Sequence, residues 1–376
     1  MRGPDQGWNE GTIGLVMTTA GLVGLLAQVP AGLLIDHTRH KLVVVGVAAA
    51  AVTVACLALP FVSHFGVVLA TQSLAAAAGA IFPPALAAIT LGMVGPRLFA
   101  RRIGRNEAFN HLGNAVSAAI AGATAYAFGP VVVFWLMAAL ALLSIGTLLL
   151  IPRGAIDDDL ARGLTPGQGA AAGGGAARAT AWAVLFGNHR LLLLAALCAL
   201  FHLANAAMLP TVGQLLTHVV GKEQATSLIA ACIVAAQCVM VPVALAVGAR
   251  VDRWGRKPFF LIAFGMLALR GVLYVVSNDP FWLLAVQMLD GVGAGIFGAL
   301  FPVILADLTR GTGHYNAAQG AVATVQGIGA ALSASLAGFV ILALGYSAAF
   351  LTLAGIAAVG FLLYLTAMPE TRPDSA

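Results

Sequence analysis

The sequence predicts an all-α membrane protein, and three observations support this prediction. The chain of 376 residues is 60% hydrophobic and 9% charged, whereas soluble domains are about half apolar and about a quarter charged. Apolar stretches of the length that crosses a bilayer as a helix, about 20 residues, recur along the chain. Segments of alternating hydrophobicity, which are typical of membrane-spanning β-barrels, are not evident in the sequence. We therefore expect the helices to lie in lipid.

Apolar runs bounded by charged residues or by Pro/Gly breaks define the candidate membrane spans. The sequence contains eleven of them, at residues 11–35, 43–62, 66–94, 106–128, 131–151, 191–217, 225–248, 258–277, 280–305, 318–343 and 347–368. Because this number is odd, we expect the two termini on opposite sides of the membrane.

Lysine and arginine are distributed unequally between the two sets of loops. Sixteen of them fall on one side of the predicted membrane, and only Arg2 and Lys222 fall on the other. Because cytoplasmic loops are enriched in basic residues, we expect the C-terminus and the linker 152–190 to be cytoplasmic and Met1 to be outside. The net charge of +5 could suggest nucleic acid, but basic residues in a membrane protein first report orientation, so we expect a lipid bilayer as a partner and no nucleic acid.

The linker 152–190 divides the chain into two predicted helix bundles. It is rich in Gly and Ala from Gly169 to Ala177 and carries an acidic run from Asp157 to Asp159, a composition typical of flexible tethers. The predicted domains are an N-terminal bundle, residues 1–151, and a C-terminal bundle, residues 191–376.

The two bundles repeat one another in sequence. At a constant offset of 216 residues, Gly32, Asp36 and Lys41 match Gly248, Asp252 and Lys257. At an offset of 215, Gln72 matches Gln287. The counterpart of span 191–217 would precede Met1, so that the first half has five spans and the second has six. We therefore expect that a first helix is missing, most simply because the start codon is placed too far downstream.

The matched segments carry a recognisable loop. Residues Gly248 to Lys257 read Gly-Ala-Arg-Val-Asp-Arg-Trp-Gly-Arg-Lys, which resembles the loop G-x-x-x-D-R-x-G-R-[RK] between the second and third helices of each half in the major facilitator superfamily. The copy from Gly32 to Lys41 is similar but degraded. The ending Pro369-Glu370-Thr371 also resembles that of many members. The resemblance implies two pseudo-symmetric helix bundles and a bacterial secondary transporter.

In that family the loop gates the cytoplasmic face. The resemblance implies this role for Gly32, Asp36, Arg39, Lys41, Gly248, Asp252, Arg253, Gly255, Arg256 and Lys257. The alternative is that the Lys and Arg residues only fix the topology. We favour this alternative for the basic residues, and we favour the gate for Asp36 and Asp252, which the positive-inside rule does not require.

Arg270 and Asp290 are ionisable residues inside predicted spans, where such groups are costly and mark functional sites. Counted from the span ends at about 1.5 Å per residue, their depths differ by roughly 5 Å, so we expect that they can pair. The resemblance implies that Asp290 lies near the central cavity and Arg270 behind it. A structural ion pair and proton coupling through Asp290 are the two interpretations.

Other polar residues recur at helical spacing. One stripe holds Glu107, Asn110 or His111, Asn114 and Ser117, and a second holds Gln319, Gln326 and Ser333. They either line a wet cavity, which we favour, or join helices by hydrogen bonds. His202 and Asn205 share one helix face; His202 either serves the transport pathway or forms a hydrogen bond with Asn205. Gln72 and Gln287 complete the predicted pathway.

The sequence shows no phosphate-binding loop, nucleophile triad or metal-ligand cluster. We therefore expect no enzyme activity and no cofactor, with the proton gradient as the energy source. Exporters of the family usually carry Arg where this chain has Gln72, and a GP-x-x-GG pattern that Gly113 to Gly129 lacks. The compact, Ala/Gly-rich build still resembles polyspecific exporters, which implies efflux of a drug-like or metabolite solute by a monomer in the inner membrane. Uptake of a sugar or organic acid, and a non-transporting sensor or subunit, are the alternatives.

Overall fold

The computed structural model describes residues 9–129, 131–152, 154–165 and 180–372, and their regular structure is entirely helical. The helices are α1 Glu10–His37, α2 Lys41–Ala58, α3 Phe65–Gly79, α4 Phe82–Phe128, α5 Val132–Leu148, α6 Asp158–Ala161, α7 Ala181–Gly187, α8 His189–Asn205, α9 Met208–Val220, α10 Lys222–Trp254, α11 Lys257–Leu273, α12 Pro280–Thr309, α13 Tyr315–Leu344 and α14 Tyr346–Ala367. The prediction of an all-α protein is confirmed. Met1, Arg2, Arg153, Arg178 and the stretch Gly169 to Ala177, which entered the topology and linker predictions, lie outside the described residues.

Each of the eleven predicted spans overlaps a helix. Span 66–94 is divided between α3 and the first part of α4, and span 191–217 is divided between α8 and α9. In the described part of the chain, eight helical segments are long and apolar enough to cross a membrane. One of them, Phe65–Ala125, covers two predicted spans.

Helix α4 contains a break in the middle. Gly95 has a φ of 70°, in the left-handed region that glycine adopts at low cost. Pro96 follows and has no N–H to donate to the preceding turn. The helix therefore changes direction here, and the residues before and after the break belong to different compact units.

Unit 1 consists of the described residues within Met1–Gly95, Ala119–Val184 and Thr309–Thr324. Within it α1 packs on α3, α3 on α2, and α2 on α5. A buried cluster of small and branched side chains joins α1, α2, the first part of α4 and α6: Ile35, Val45, Ala85, Ala88, Ile89 and Ala161. Unit 1 thus contains the first loop copy and the start of α13.

Unit 2 consists of Pro96–Ala118, Leu185–Leu308 and the described residues within Val325–Ala376. Helix α14 packs against α11 and α8, and α9 packs against α10. Its core contains aromatic rings in mutual contact, those of Phe201, Phe260, Phe264, Phe297 and Tyr364. Unit 2 contains the second loop copy.

Large apolar side chains are exposed on many of these helices. Examples are Leu26, Leu142, Phe339 and Leu342. Such surfaces are unfavourable in water but suit contact with lipid tails. The outer surface therefore agrees with helices that cross a membrane.

Candidate functional site

Asp36 lies in the last turn of α1 and contacts the first turn of α13, 280 residues further along the chain. Its Oδ2 accepts the backbone N–H of Ala317 at 2.7 Å, and its Oδ1 accepts the backbone N–H of Asn316 at 3.2 Å. The side-chain amide of Asn316 also donates to Oδ1, at 2.8 Å. The first N–H groups of a helix have no partner within it and attract negative charge. Asp36, only 6% exposed, therefore fastens the end of α1 to the start of α13.

Two glycines let α1 and α13 approach this closely. A Cβ atom placed on Gly32 would lie 2.1 Å from the carbonyl oxygen of Asn316. A Cβ atom on Gly320 would lie 2.3 Å from the carbonyl oxygen of Gln28. Both distances are shorter than any van der Waals contact, so the first glycine of the loop is required by backbone packing.

The beginning of the predicted linker packs against the same region of unit 1. Lys41 is buried and donates to the Asp158 carboxylate at 2.6 Å. The carbonyl oxygen of Ala161 accepts the side-chain amide of Asn316 at 3.0 Å. Ala161 is fully buried, so the tether interpretation is wrong for this short segment. Lys41 therefore does more than set topology.

The second loop copy makes different contacts. Asp252 is 52% exposed and pairs with Arg256, whose Nη1 lies 2.9 Å from its Oδ1. Arg256 is buried and also pairs through Nε with Asp307 Oδ2 at 2.9 Å. Asp307, near the end of α12, was not predicted, although a carboxylate at the end of an apolar span is a recognisable feature. Arg256 thus joins the loop to α12, while Arg39 and Arg253 are exposed.

Glu370, in the C-terminal segment that follows α14, binds the backbone at the start of α11. Four backbone N–H groups donate to its carboxylate, those of Arg256, Lys257, Thr371 and Arg372. Burial by itself raises the pKa of Glu370, but these donors outweigh it, so that the pKa lies below its usual value. Gly255, with a φ of 90°, leaves the space that this carboxylate fills: a Cβ there would overlap Glu370. Gly255 is therefore needed for two reasons: its positive φ shapes the loop, and its lack of a side chain leaves space for the Glu370 carboxylate.

Gly248, the first glycine of the second copy, packs against α4. A Cβ atom on Gly248 would lie 2.9 Å from the Cα atom of Gly104. A Cβ atom on Gly104 would lie 2.6 Å from the carbonyl oxygen of Ala244. Helices α4 and α10 of unit 2 therefore touch through their backbones.

Arg270 and Asp290 form the ion pair that their predicted depths suggested. Arg270 is 1% exposed, and it also donates to the Asn205 side-chain oxygen and to the Met208 sulfur. Asp290 Oδ2 accepts from Gln287 Nε2 at 3.1 Å. Both carboxylate oxygens of Asp290 therefore have partners.

Tyr274 extends this network, because its hydroxyl donates to Gln287 Oε1. His202 is not part of it. The predicted hydrogen bond between His202 and Asn205 is wrong: His202 Nδ1 donates to the Cys198 carbonyl at 3.0 Å, while Asn205 accepts from Arg270. The local reason is that the carbonyl one turn back lies within reach of the His202 ring.

The first polar stripe is split between exposed and buried residues. Asn110 and Asn114 are exposed. His111 is buried and donates from Nδ1 to Gln237 Oε1 of α10 at 2.7 Å. Glu107 Oε2 lies 3.9 Å from His111 Nε2. His111 therefore joins α4 to α10, whereas Asn110 and Asn114 lie on the exposed surface of α4.

The second stripe behaves similarly. Ser333 is buried, and its hydroxyl accepts the Ala207 N–H at 3.0 Å, at the break between α8 and α9. Gln326 is half-buried. Among the described residues, Gln319 Oε1 and Gln72 Nε2 are buried without a hydrogen-bond partner. Both amides therefore have unused hydrogen-bonding capacity, as does Nε2 of His111.

Comparison with known proteins identifies relatives of the whole chain. A family model described as Major Facilitator Superfamily matches residues 3–249 and 202–376. Uncharacterized MFS-type transporters of two Mycobacterium tuberculosis strains are each 51% identical over 367 residues, covering 97% of this chain and 86% of theirs.

Solved structures share the fold at low sequence identity. The human organic anion transporter MFSD10 (TETRAN) matches with a TM-score of 0.72 and 16% identity, covering 93% of this chain and 82% of that one. The proton:xylose symporter XylE, bound to 6-bromo-6-deoxy-D-glucose, matches with a TM-score of 0.75 and 12% identity, covering 98% of this chain and 89% of that one.

Proposed function

Because this chain belongs to the major facilitator superfamily, we propose that it exports a small drug-like or metabolite solute across the bacterial plasma membrane by alternating access, driven by the proton gradient. The family makes the chain a membrane transporter. The direction, the coupling ion and the solute class are the parts that we propose. We further propose that it works as a monomer, without a cofactor, and with its C-terminus in the cytoplasm.

The observation that carries this proposal is the contact between Asp36 and the first turn of α13. Alternating access requires helix ends that close one side of the membrane and then separate. A carboxylate bound to helix N–H groups suits this task, because water can replace these hydrogen bonds when the contact opens. We propose that Asp36, Gly32 and Lys41 form this gate and that the second loop copy supports it.

We assign the pair Arg270 and Asp290 to structure rather than to proton transfer. Arg270 is almost fully buried and reaches three partners in unit 2. Asp290 is neutralised by Arg270 and bound by Gln287. A carboxylate held in this way stabilises the packing of α8, α11 and α12.

We propose Asn110, Asn114, His202 and Gln326 of unit 2, and separately Gln72 of unit 1, as residues that contact the solute. Gln72 carries a buried amide nitrogen without a partner among the described residues, which a solute oxygen could bind. Gln72 also occupies the position where exporters of the family usually carry Arg. This substitution favours the second candidate, proton-coupled uptake of a sugar or organic acid. A fold shared with a proton:xylose symporter is compatible with that candidate.

Flux measurements in cells with and without an uncoupler test the proposal. Cells expressing the chain are loaded with ethidium and a panel of amphipathic drugs, and in parallel exposed to labelled xylose and lactate. We expect uncoupler-sensitive efflux above that of cells with an empty vector, reduced by Asp36→Asn. Uncoupler-sensitive accumulation of the sugar or acid would instead establish uptake. Absence of energy-dependent flux for every compound contradicts transport and favours a sensor or subunit.

A further inference from the structure

His111 has one ring nitrogen with a partner and one without. Nδ1 lies 2.7 Å from Gln237 Oε1. Nε2 is fully buried and has no hydrogen-bond partner among the described residues. The whole residue is 9% exposed. A buried polar atom without a hydrogen-bond partner is costly and therefore uncommon, so the unpartnered Nε2 atom needs an explanation.

The contact with Gln237 defines the protonation of the ring. An amide oxygen only accepts hydrogen bonds, so the proton must be on Nδ1 of His111. In the neutral ring Nε2 then carries a lone pair and no hydrogen. This buried nitrogen can therefore accept a hydrogen bond or a proton.

Glu107 lies next to His111 Nε2, one helical turn earlier in α4. Its Oε2 is 3.9 Å from His111 Nε2, which is ion-pair range but longer than a hydrogen bond. The same oxygen accepts from Asn110 Nδ2 at 3.3 Å. It would also lie 3.4 Å from a Cβ atom on Gly298 of α12. The Glu107 carboxylate therefore lies beside Gly298 of α12.

From this geometry we infer that Glu107 and His111, supported by Gln237, form the proton-binding site of the transporter. A proton adds to the Nε2 lone pair while the Nδ1–H bond to Gln237 remains. The resulting imidazolium faces the Glu107 carboxylate and completes an ion pair. This inference rests on the proposed proton coupling and names the site where the proton binds.

Proton binding at this site would move a side chain that lies between helices. To form a hydrogen bond, Glu107 Oε2 must approach His111 Nε2 by about 1 Å from its present distance. This movement would change the contacts of Glu107 with Asn110 and with Gly298. The three helices α4, α10 and α12 of unit 2 meet here, so the charge state of His111 affects how they pack.

The other groups around the pair do not titrate near neutral pH. Helix α10 contributes the amide of Gln237, and α12 contributes Gly298. On α4 itself, Arg102 and Arg105 are exposed, and six residues separate Arg105 from His111, which is about 9 Å along the helix. Among the described residues, Glu107 is the charged group in ion-pair range of His111. Histidine is the side chain whose charge ordinarily changes near neutral pH.

Nitrogen NMR of the purified full chain, labelled at its histidine rings, tests the inference without a solute. The His111 signal is assigned by its loss in His111→Asn. We expect Nε2 of His111 to bind a proton when the sample is acidified. At the pH where the ring of the parent is half protonated, we expect Glu107→Gln to reduce the protonated fraction about threefold, because the opposing charge is lost. Phe109→Ala, an exposed position of the same turn, should leave the titration unchanged.

Proton uptake by the same samples provides the second readout. After an acid pulse in weak buffer, His111→Asn should bind about one proton fewer per chain than the parent. A His111 ring that stays neutral, or one that titrates alike with and without Glu107, overturns the inference. Loss of the proton in Asp290→Asn but not in His111→Asn would assign it to Asp290. These results are independent of the flux assay, so the site can fail while transport stands.

Discussion

Asp36 accepts the N–H of Ala317 at 2.7 Å, and this bond joins the end of the first described helix to the start of the next-to-last one. Its counterpart in the repeat, Asp252, pairs with Arg256 instead. Two residues at equivalent sequence positions therefore have different structural roles: Asp36 binds the start of a helix, and Asp252 forms an ion pair with Arg256.

Asp36→Asn should destabilise the protein more than Asp252→Asn. The Asp36 variant loses a buried charge that accepts three hydrogen bonds, at a cost of about 1–3 kcal/mol. Asp252 is half exposed, and its pair should contribute less than about 1 kcal/mol. Thermal unfolding of both variants in the same detergent measures the difference. Equal losses would show that the N–H groups of α13 add nothing.

Gly32→Ala should destabilise unit 1, whereas Gly21→Ala in the same helix should not. The new Cβ at position 32 overlaps the backbone of Asn316, and overpacking of this kind costs about 1–3 kcal/mol. A Cβ on Gly21 meets nothing within 4 Å, so alanine there should be neutral or favourable by up to about 1 kcal/mol. Unfolding temperatures of the two variants test this. A Gly32→Ala protein as stable as the parent would contradict the close approach of α1 and α13.

Arg270→Met should be more harmful than the double change Arg270→Met with Asp290→Leu. The single change leaves the Asp290 carboxylate without its cation, which costs about 3–5 kcal/mol for a buried pair. Removing both charges avoids this penalty. A double-mutant cycle on thermal stability measures the coupling. Independent, additive losses would be inconsistent with the ion pair.

Glu370→Gln should reduce stability at neutral pH but have little effect in acid. The pKa of Glu370 is lowered in the folded protein by four N–H donors, so the carboxylate stabilises the fold above its ordinary pKa of about 4.3. That contribution is lost as the pH falls through the folded-state pKa. The gap in unfolding temperature between parent and variant should therefore be largest near pH 7 and should close in acid. A gap of constant size from pH 7 down to about pH 2 would contradict this account.

One contact of the site was predictable because depth in a membrane helix follows from residue count. The pairing of Arg270 with Asp290 was predicted in this way, and the ion pair is present. The partners of single polar groups were not predictable. His202 turns to the carbonyl of Cys198, and His111 finds Gln237 on another helix, because side-chain partners depend on helix rotation as well as depth.

The sequence by itself determined the all-α class, the positions of the apolar helices, the internal repeat and the two loop copies. These follow from local hydropathy and from matches at a fixed offset. Only the tertiary structure decided that Asp36 binds the start of α13, that Arg256 binds Asp307, and that the segment at Asp158 packs on Lys41. Such contacts join residues far apart in the chain, and the repeat cannot specify them because equivalent residues meet different neighbours in its two halves.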